Sequence, residues 1–309
     1  MKTWKLGLVA CAIGTVGTWV WADPPKTGTT TTTTVIRTGE TASADDFAMP
    51  KRFQKASDLI GKNVTNTANE NLGEIKDIVF DAGSGRILYG VLSFGGFLGL
   101  GDKYFATPWP AIRLSPDFKT FVLHIDKDRL KDSQGFDKNQ WPNFADDRWA
   151  TTTYKHYNQT PYWENTNRAP VMGSDAGGQP NFRDRWYQKV TNWQKASDLL
   201  GKDTHNAKNE DIGKISDLVV DPDSGRVLYG ILSFRGKLFP VPFNAMNLTG
   251  DGKKVVLNID KEALKDSIAF TDRDWPNMVD PRWSTEVHTV YNVQPYWVTL
   301  ERTRTNEKP

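Results

Sequence analysis

The chain has 309 residues, 39 Lys+Arg against 37 Asp+Glu and a formal net charge of +2. That length suits two domains of ordinary size, and the balanced charge gives no electrostatic case for a nucleic-acid or strongly acidic partner. The single cysteine, Cys11, excludes an intramolecular disulfide and a multi-thiolate metal site.

The first element reads as a targeting segment. Lys2 and Lys5 precede an apolar run from Leu6 to Trp21, and Val20 and Ala22 occupy the small-residue positions of a cleavage site before Asp23. Cleavage there leaves a mature chain with no cysteine. The alternatives are a lipobox ending at Cys11 and an uncleaved anchor, although the run is short for a span. The expected location is exported, in the periplasm or cell envelope of a bacterium, with membrane contact only through residues 1–22 if they are retained. Residues 23–50 follow as a Thr-rich disordered linker, with seven Thr and one Gly over Thr27–Thr34.

From there the chain is one unit written twice. QKASDLIGK at Gln54 returns as QKASDLLGK at Gln194, with 25 identities in 41 positions over 54–94 and 194–234. DKDRLKDS at Asp126 returns as DKEALKDS at Asp260, with 19 identities in 38 over 126–163 and 260–297. The offset falls from 140 to 134, so the first copy carries six extra residues between Phe94 and Leu114. Two copies are too few for a solenoid. The expected organisation is a first domain over 51–163, an Asn/Gly/Pro-rich connector over 164–192, a second domain over 193–298 and a tail over 299–309.

Each copy opens as β structure. EIKDIVFD and KISDLVVD alternate apolar and polar residues, and ILYGVLSF and VLYGILSF are rich in β-branched and aromatic residues. Between them, DAGSGR and DPDSGR read as hairpin turns. Asp81 and Asp221 satisfy turn N–H groups, Gly85 and Gly225 supply a positive φ, and Arg86 and Arg226 begin the return strand. Ser57 and Ser197 read as caps before D-L-[IL]-G, and Asp126 and Asp260 as N-caps of a short helix. Further on, Trp283, Val287, Val290 and Tyr291 fall on one helical face, as do Trp149, Thr153, His156 and Tyr157. Asn158 or Asn292, with Pro161 or Pro295, would end those helices.

The order A-S-D-L-I-G-K, N-E-x-L-G-E-I-K-D-I-V-F-D, S-G-R-I-L-Y-G-V-L-S-F-G-G-F-L-G-L-G-D-K and P-W resembles the PRC-barrel domain, a module shared by the photosynthetic reaction-centre H subunit and the ribosome maturation factor. The resemblance covers about 54–135 and 194–269. In the second copy FRGKLFPVPF stands where the first has GGFLGLGDKYFATPW. The resemblance implies a mainly β fold of two tandem small PRC-type β-barrels. Each is followed by a short helical, aromatic-rich extension lying outside the barrel core. It also implies a non-enzymatic binding or assembly module with no cofactor, acting on an unidentified protein or envelope component. Alternatives are an accessory subunit of a membrane electron-transfer complex of the reaction-centre kind, and a glycan-binding or glycan-hydrolysing envelope protein.

No catalytic or metal site is expected. GGFLGLGDK lacks the G-K-[ST] and the following helix of a phosphate loop. His124, His156, His205 and His288 show no ligand spacing. The repeated carboxylates Asp58/Asp198, Glu70/Glu210, Asp77/Asp217, Asp126/Asp260 and Asp146/Asp280 read as exposed strand and turn residues. The candidate partner-binding residues are Phe97, Leu98 and Leu100 of the first copy's loop, and Trp149, Trp163, Trp283 and Trp297 of the aromatic extensions. For both groups, packing against the barrel is the competing and expected role.

Overall fold

A computed structural model describes residues 35–38, 48–94, 103–164, 185–249, 254–265 and 267–301. Val35–Thr38 (β1) and Val298–Glu301 (β17) form a separate two-stranded sheet, which puts a strand inside the segment expected to be disordered. The first copy then runs through β2 (Gln54–Lys55), α1 (Ala56–Leu59), β3 (Asn63–Thr65), β4 (Asn71–Asp81), β5 (Ile87–Phe94), β6 (Lys103–Pro108), β7 (Ile112–Leu114), β8 (Phe121–Leu123), α2 (Lys127–Lys131), β9 (Gly135–Phe136) and α3 (Asp147–His156). The second copy repeats the order. It comprises β10 (Trp193–Lys195), α4 (Ala196–Leu199), β11 (Asp203–Asn206), β12 (Asp211–Asp221), β13 (Arg226–Phe234), β14 (Lys237–Pro242), β15 (Met246–Leu248), β16 (Val255–Leu257), α5 (Lys261–Lys265) and α6 (Pro281–Val290).

The sheets are ordered β7-β8-β3-β4-β5-β6-β9 and β14-β13-β12-β11-β16-β15, one of them a half-barrel, in a mainly β fold. The six extra residues of the first copy lie between β5 and β6. There, 95–102 replaces the two-residue turn Arg235–Gly236, whose φ values are +50° and +76°. Residues 95–102, with Phe97, Leu98 and Leu100, lie outside the described residues.

The copies do not close independently. The first arm, β2, pairs with β12 of the second copy at Lys55↔Val219 and Gln54↔Val220. The second arm, β10, pairs with β4 of the first at Trp193↔Asp81, Gln194↔Phe80 and Lys195↔Val79. Each 11-residue strand therefore gives one half of an edge to its own copy and the other half to the arm of its counterpart. Register shifts between Ile75 and Asp77 and between Ile215 and Asp217 mark the change. Burial follows: Asp77–Asp81 is buried at every position, its two carboxylates included. Ile36–Leu300 form one compact unit, so the connector does not separate two independently packed domains.

The two hairpin turns meet where the copies join. Gly85 and Gly225 hold φ of +73° and +65°, as the sequence requires. Ile87 N–H donates to Gly225 O at 2.8 Å and Val227 N–H donates to Gly85 O at 2.9 Å. The turns thus lie antiparallel, with Arg86 opposite Arg226. A Cβ on Gly85 would come within 2.7 Å of the Phe243 ring, and one on Gly225 within 2.6 Å of the Trp109 indole, each contributed by the other copy. Trp109 Nε1 donates to Pro222 O at 3.0 Å, and Phe80 meets Phe243 edge-on at 5.7 Å.

Gly85→Ala and Gly225→Ala should each lower stability by about 1 kcal/mol or more, because each imposes left-handed strain and a contact across the joint. Urea denaturation measures this, and unchanged midpoints would contradict it.

Candidate functional site

The joint is built from residues that the repeat writes twice. Ser57 N–H donates to Asp217 Oδ1 at 3.2 Å, and Ser197 N–H to Asp77 Oδ1 at 3.1 Å. The hydroxyl of each serine also donates to the second oxygen of the same carboxylate. Each Oδ1 accepts the following backbone N–H as well, from Leu218 and Ile78, at 2.8 Å. Two corrections follow. Ser57 and Ser197 do not cap their own helices, whose N-cap positions are Lys55 and Lys195. Asp77 and Asp217 are buried rather than exposed. Burial pushes the Asp77 carboxyl above its ordinary value, against the opposing pull of the Ser197 bonds.

Asp81 and Asp221 hold the turns as expected. Asp81 accepts Ser84 Oγ at 2.5 Å and Ser84 N–H at 3.0 Å, and Asp221 accepts Ser224 Oγ at 2.7 Å and Asp223 N–H at 3.0 Å. Both are buried, and burial raises both pKa values.

The arginines do more than begin a strand. Trp186, from the segment expected to be a plain connector, lies between them, with Arg86 Cζ 3.8 Å and Arg226 Cζ 3.5 Å from its ring. Tyr162 covers the far side of Arg86 at 4.3 Å, and Tyr296 that of Arg226 at 4.1 Å. The layers run Tyr162, Arg86, Trp186, Arg226, Tyr296. Trp186 and Arg226 have no exposed surface, and Arg86 Nε donates to Trp186 O at 2.9 Å. Stacked guanidinium–aromatic contacts of this kind contribute ~2 kcal/mol each when desolvated. The sequence signal was the pair of Tyr-Trp endings; nothing local marked Trp186.

The aromatic extensions pack on the barrels. Trp149 meets Tyr89 edge-on at 5.5 Å and Trp283 meets Tyr229 at 5.7 Å. Trp163 meets Tyr154 at 5.6 Å, and Trp297 meets His288 at 5.5 Å. Trp297 is buried; Trp149, Trp163 and Trp283 are half-buried. Asp146 and Asp280 are the N-caps of α3 and α6, accepting from Trp149 N and Arg282 N at 2.8 Å. Asn158 and Asn292 follow the helices at positive φ, as expected of helix-ending residues.

The helix faces differ from the expected ones. In α6, Ser284, Val287, His288 and Tyr291 are buried and Val290 is exposed; in α3 the buried set is Ala150, Thr153, Tyr154 and Tyr157. Ser284 Oγ lies 2.5 Å from Tyr229 OH, and His288 Nδ1 lies 2.7 Å from Ser284 O. Burial pushes His288 down to about 4, so this ring is neutral and structural.

At the open end of the second barrel is a groove of about 400 Å³ beside the Arg235–Gly236 turn, lined by Phe234, Lys214, Arg235 and Lys261 among others. Lys261 Nζ donates to Asp211 O at 2.8 Å and stands 5.5 Å from the Phe234 ring, and Arg235 lies 5.2 Å from that ring. The first copy repeats the motif, with Lys127 5.8 Å from Phe94.

The family model of the PRC-barrel domain matches residues 52–130 and 194–264. The chain carries two PRC-barrel domains. The matches span the first arm and most of the second, strands β3–β8 and β11–β16, and most of α2 and α5. The PRC barrels are therefore the parts that exchange arms, while α3, α6 and Trp186 lie outside the matched segments. A comparison with curated proteins finds no match. Among the described residues no helix is long and apolar enough to cross a membrane; the expected targeting segment lies outside them.

Two measurements test the joint. Trp186→Ala should cost about 3–5 kcal/mol in urea denaturation, the usual loss for a fully buried aromatic, and a loss under about 1 kcal/mol would contradict the layered stack. The second concerns Asp81 and Asp221. Their folded-state pKa values lie above the unfolded ones, so the folded chain keeps protons that the unfolded chain releases. The stability they contribute is fully present below the ordinary aspartate value and is lost as pH rises through the raised values. The double variant D81N/D221N retains a turn-forming side chain and removes the titration. In thermal melts the parent should lose stability relative to the variant as pH rises from the aspartate range towards neutrality. A difference independent of pH would contradict this.

Proposed function

We propose that the protein is a non-enzymatic binding or assembly module of the cell envelope. Its two PRC barrels form one body that presents the groove beside Phe234 to an acidic segment of a partner. The observation that carries this reading is the division of labour among repeated residues. Asp77, Asp217, Asp81, Asp221 and the paired Tyr-Trp endings are engaged in the joint or in packing, whereas Phe234, Arg235 and Lys261 line an open surface. Cationic side chains around a half-buried aromatic ring suit a partner that brings carboxylates. The signal-like residues 1–22 and the Thr-rich segment after them support export.

Full-length protein from the envelope should capture a partner that salt displaces. Arg235→Glu with Lys261→Glu should abolish that capture while leaving the melting temperature unchanged. Capture indifferent to both charge reversals would refute the groove. Turnover of a substrate that is lost on changing Asp77 would refute the non-enzymatic reading.

A further inference from the structure

The two copies differ sharply at one place, the junction of the extension helix with its barrel. In the first copy this junction contains a cavity of about 170 Å³, whose lining includes Ala106, Asp132, Ser133, Thr153, His156 and Tyr157. At an offset of 134 the second copy has Pro240, Ser267, Val287, Val290 and Tyr291, and Ile268 replaces Gln134 of the rim. Thr107, whose Oγ1 lies 3.4 Å from Tyr157 OH, becomes Val241. The second copy thus keeps Ser267 and Tyr291 but has Val241 and Val287 where the first has Thr107 and Thr153. The fold therefore accepts valine at the positions of Thr107 and Thr153.

The hydrogen bonds of the lining are left open in a consistent way. Thr153 is 5 % exposed, and its Oγ1 has no partner among the described residues. Helical threonines usually return the hydroxyl to the preceding turn. Thr285 and Thr289 do so here, donating to Pro281 O at 2.7 Å and Thr285 O at 2.8 Å. Thr153 instead keeps its hydroxyl for the cavity, at the cost that any buried unsatisfied group carries. Tyr157 OH has only long contacts, 3.5 Å to Ser133 Oγ and 3.4 Å to Thr107 Oγ1. Ser133 donates to Leu130 O at 2.6 Å, which leaves its oxygen to accept. His156 Nε2 lies 2.9 Å from Arg129 O. A carbonyl only accepts, so Nε2 is the ring nitrogen that donates there. No Lys or Arg lines the cavity, which removes an anion from consideration.

We propose that this cavity, centred on Thr153, Ser133 and Tyr157, binds the hydroxylated edge of a single sugar ring or a polyol of that size. Each ligand hydroxyl both donates and accepts, which matches a lining of hydroxyls and acceptors, among them the carboxylate of Asp132, with no Lys or Arg. The volume equals about six water molecules at ~30 Å³ each, the size of one small ring rather than a chain. The site lies on α3 of the first copy, apart from the groove of the second, so it goes beyond the partner reading and survives or fails separately. A free monosaccharide and the terminal residue of a glycan present the same hydroxyls.

The test uses the full chain and calorimetric titration with glucose, N-acetylglucosamine and a soluble oligomer of N-acetylglucosamine. Thr153→Val, which writes the second copy's Val287 into the first, serves as the variant. The parent should bind at least one of these saturably. Binding only the free sugars, or the oligomer as well, distinguishes the two sources. Thr153→Val should weaken binding by roughly tenfold or more, the loss of about one good hydrogen bond, with unchanged melting. His156→Val, which copies Val290 of the second unit, supplies a second variant with the same expected loss. The proposal is overturned if none of the three probes binds saturably, if binding is indifferent to Thr153→Val, or if methylammonium binds and the sugars do not.

Discussion

Two guanidinium groups on opposite faces of one buried indole set the terms for the rest of this molecule. Bringing the like charges of the half-buried Arg86 and the fully buried Arg226 to either side of Trp186 carries a desolvation cost, of order several kcal/mol for Arg226. Among the features that offset it are the electron-rich faces of Trp186, Tyr162 and Tyr296, the Asp81 carboxylate near Arg86, and the backbone bond from Arg86 to Trp186. That geometry holds only if the two turns lie antiparallel, if Gly85 and Gly225 take positive φ, and if the chain between the copies returns through the joint. The exchange of arms and the Ser–Asp bonds are further consequences of the same face-to-face arrangement.

Local features of the fold were legible in the sequence because they are written locally. The turn D-x-x-S-G-R, the β-branched strands, the six-residue insertion and the Asn-terminated helices all depend on residues within a few positions of one another. What was not legible depends on partners far away in the chain. Ser57 looks like a cap because D-L follows it, yet its acceptor is 160 residues distant. Asp77 looks exposed because it alternates with apolar neighbours, yet the counterpart arm covers its polar face. Trp186 sits in an Asn/Gly/Pro-rich stretch that gives no hint of a buried aromatic. The helix face containing Val290 was assigned one step round from the true one because Ser284 and His288 are polar residues that the core satisfies internally.

The same comparison explains how a duplicated unit acquires different tasks. The joint takes Ser, Asp, Gly and Arg from the same positions of both copies, with Trp109 of the first standing where the second has Phe243. The surfaces away from it are free to diverge. The second copy shortens its β5–β6 counterpart to Arg235–Gly236 and opens a cationic groove. The extension helices distribute their polar side chains in opposite ways: α3 places Thr153 beside a cavity, whereas α6 turns Ser284 and His288 towards Tyr229 and has the buried Val287 at the position of Thr153. The partly buried Trp149, Trp163 and Trp283 contribute to the frame that holds these surfaces in place.

If the joint makes one body of two PRC barrels, neither barrel opens alone. Native-state hydrogen exchange of the amides in β4 and β12 measures this directly, because both strands are central to their sheets and border the other copy's arm. The account predicts that Ile78 and Val79 exchange through an opening of the same free energy as Leu218 and Val219, equal to that of global unfolding. Protection that fails in one strand at a free energy well below the other would contradict it, and would show two domains that fold side by side.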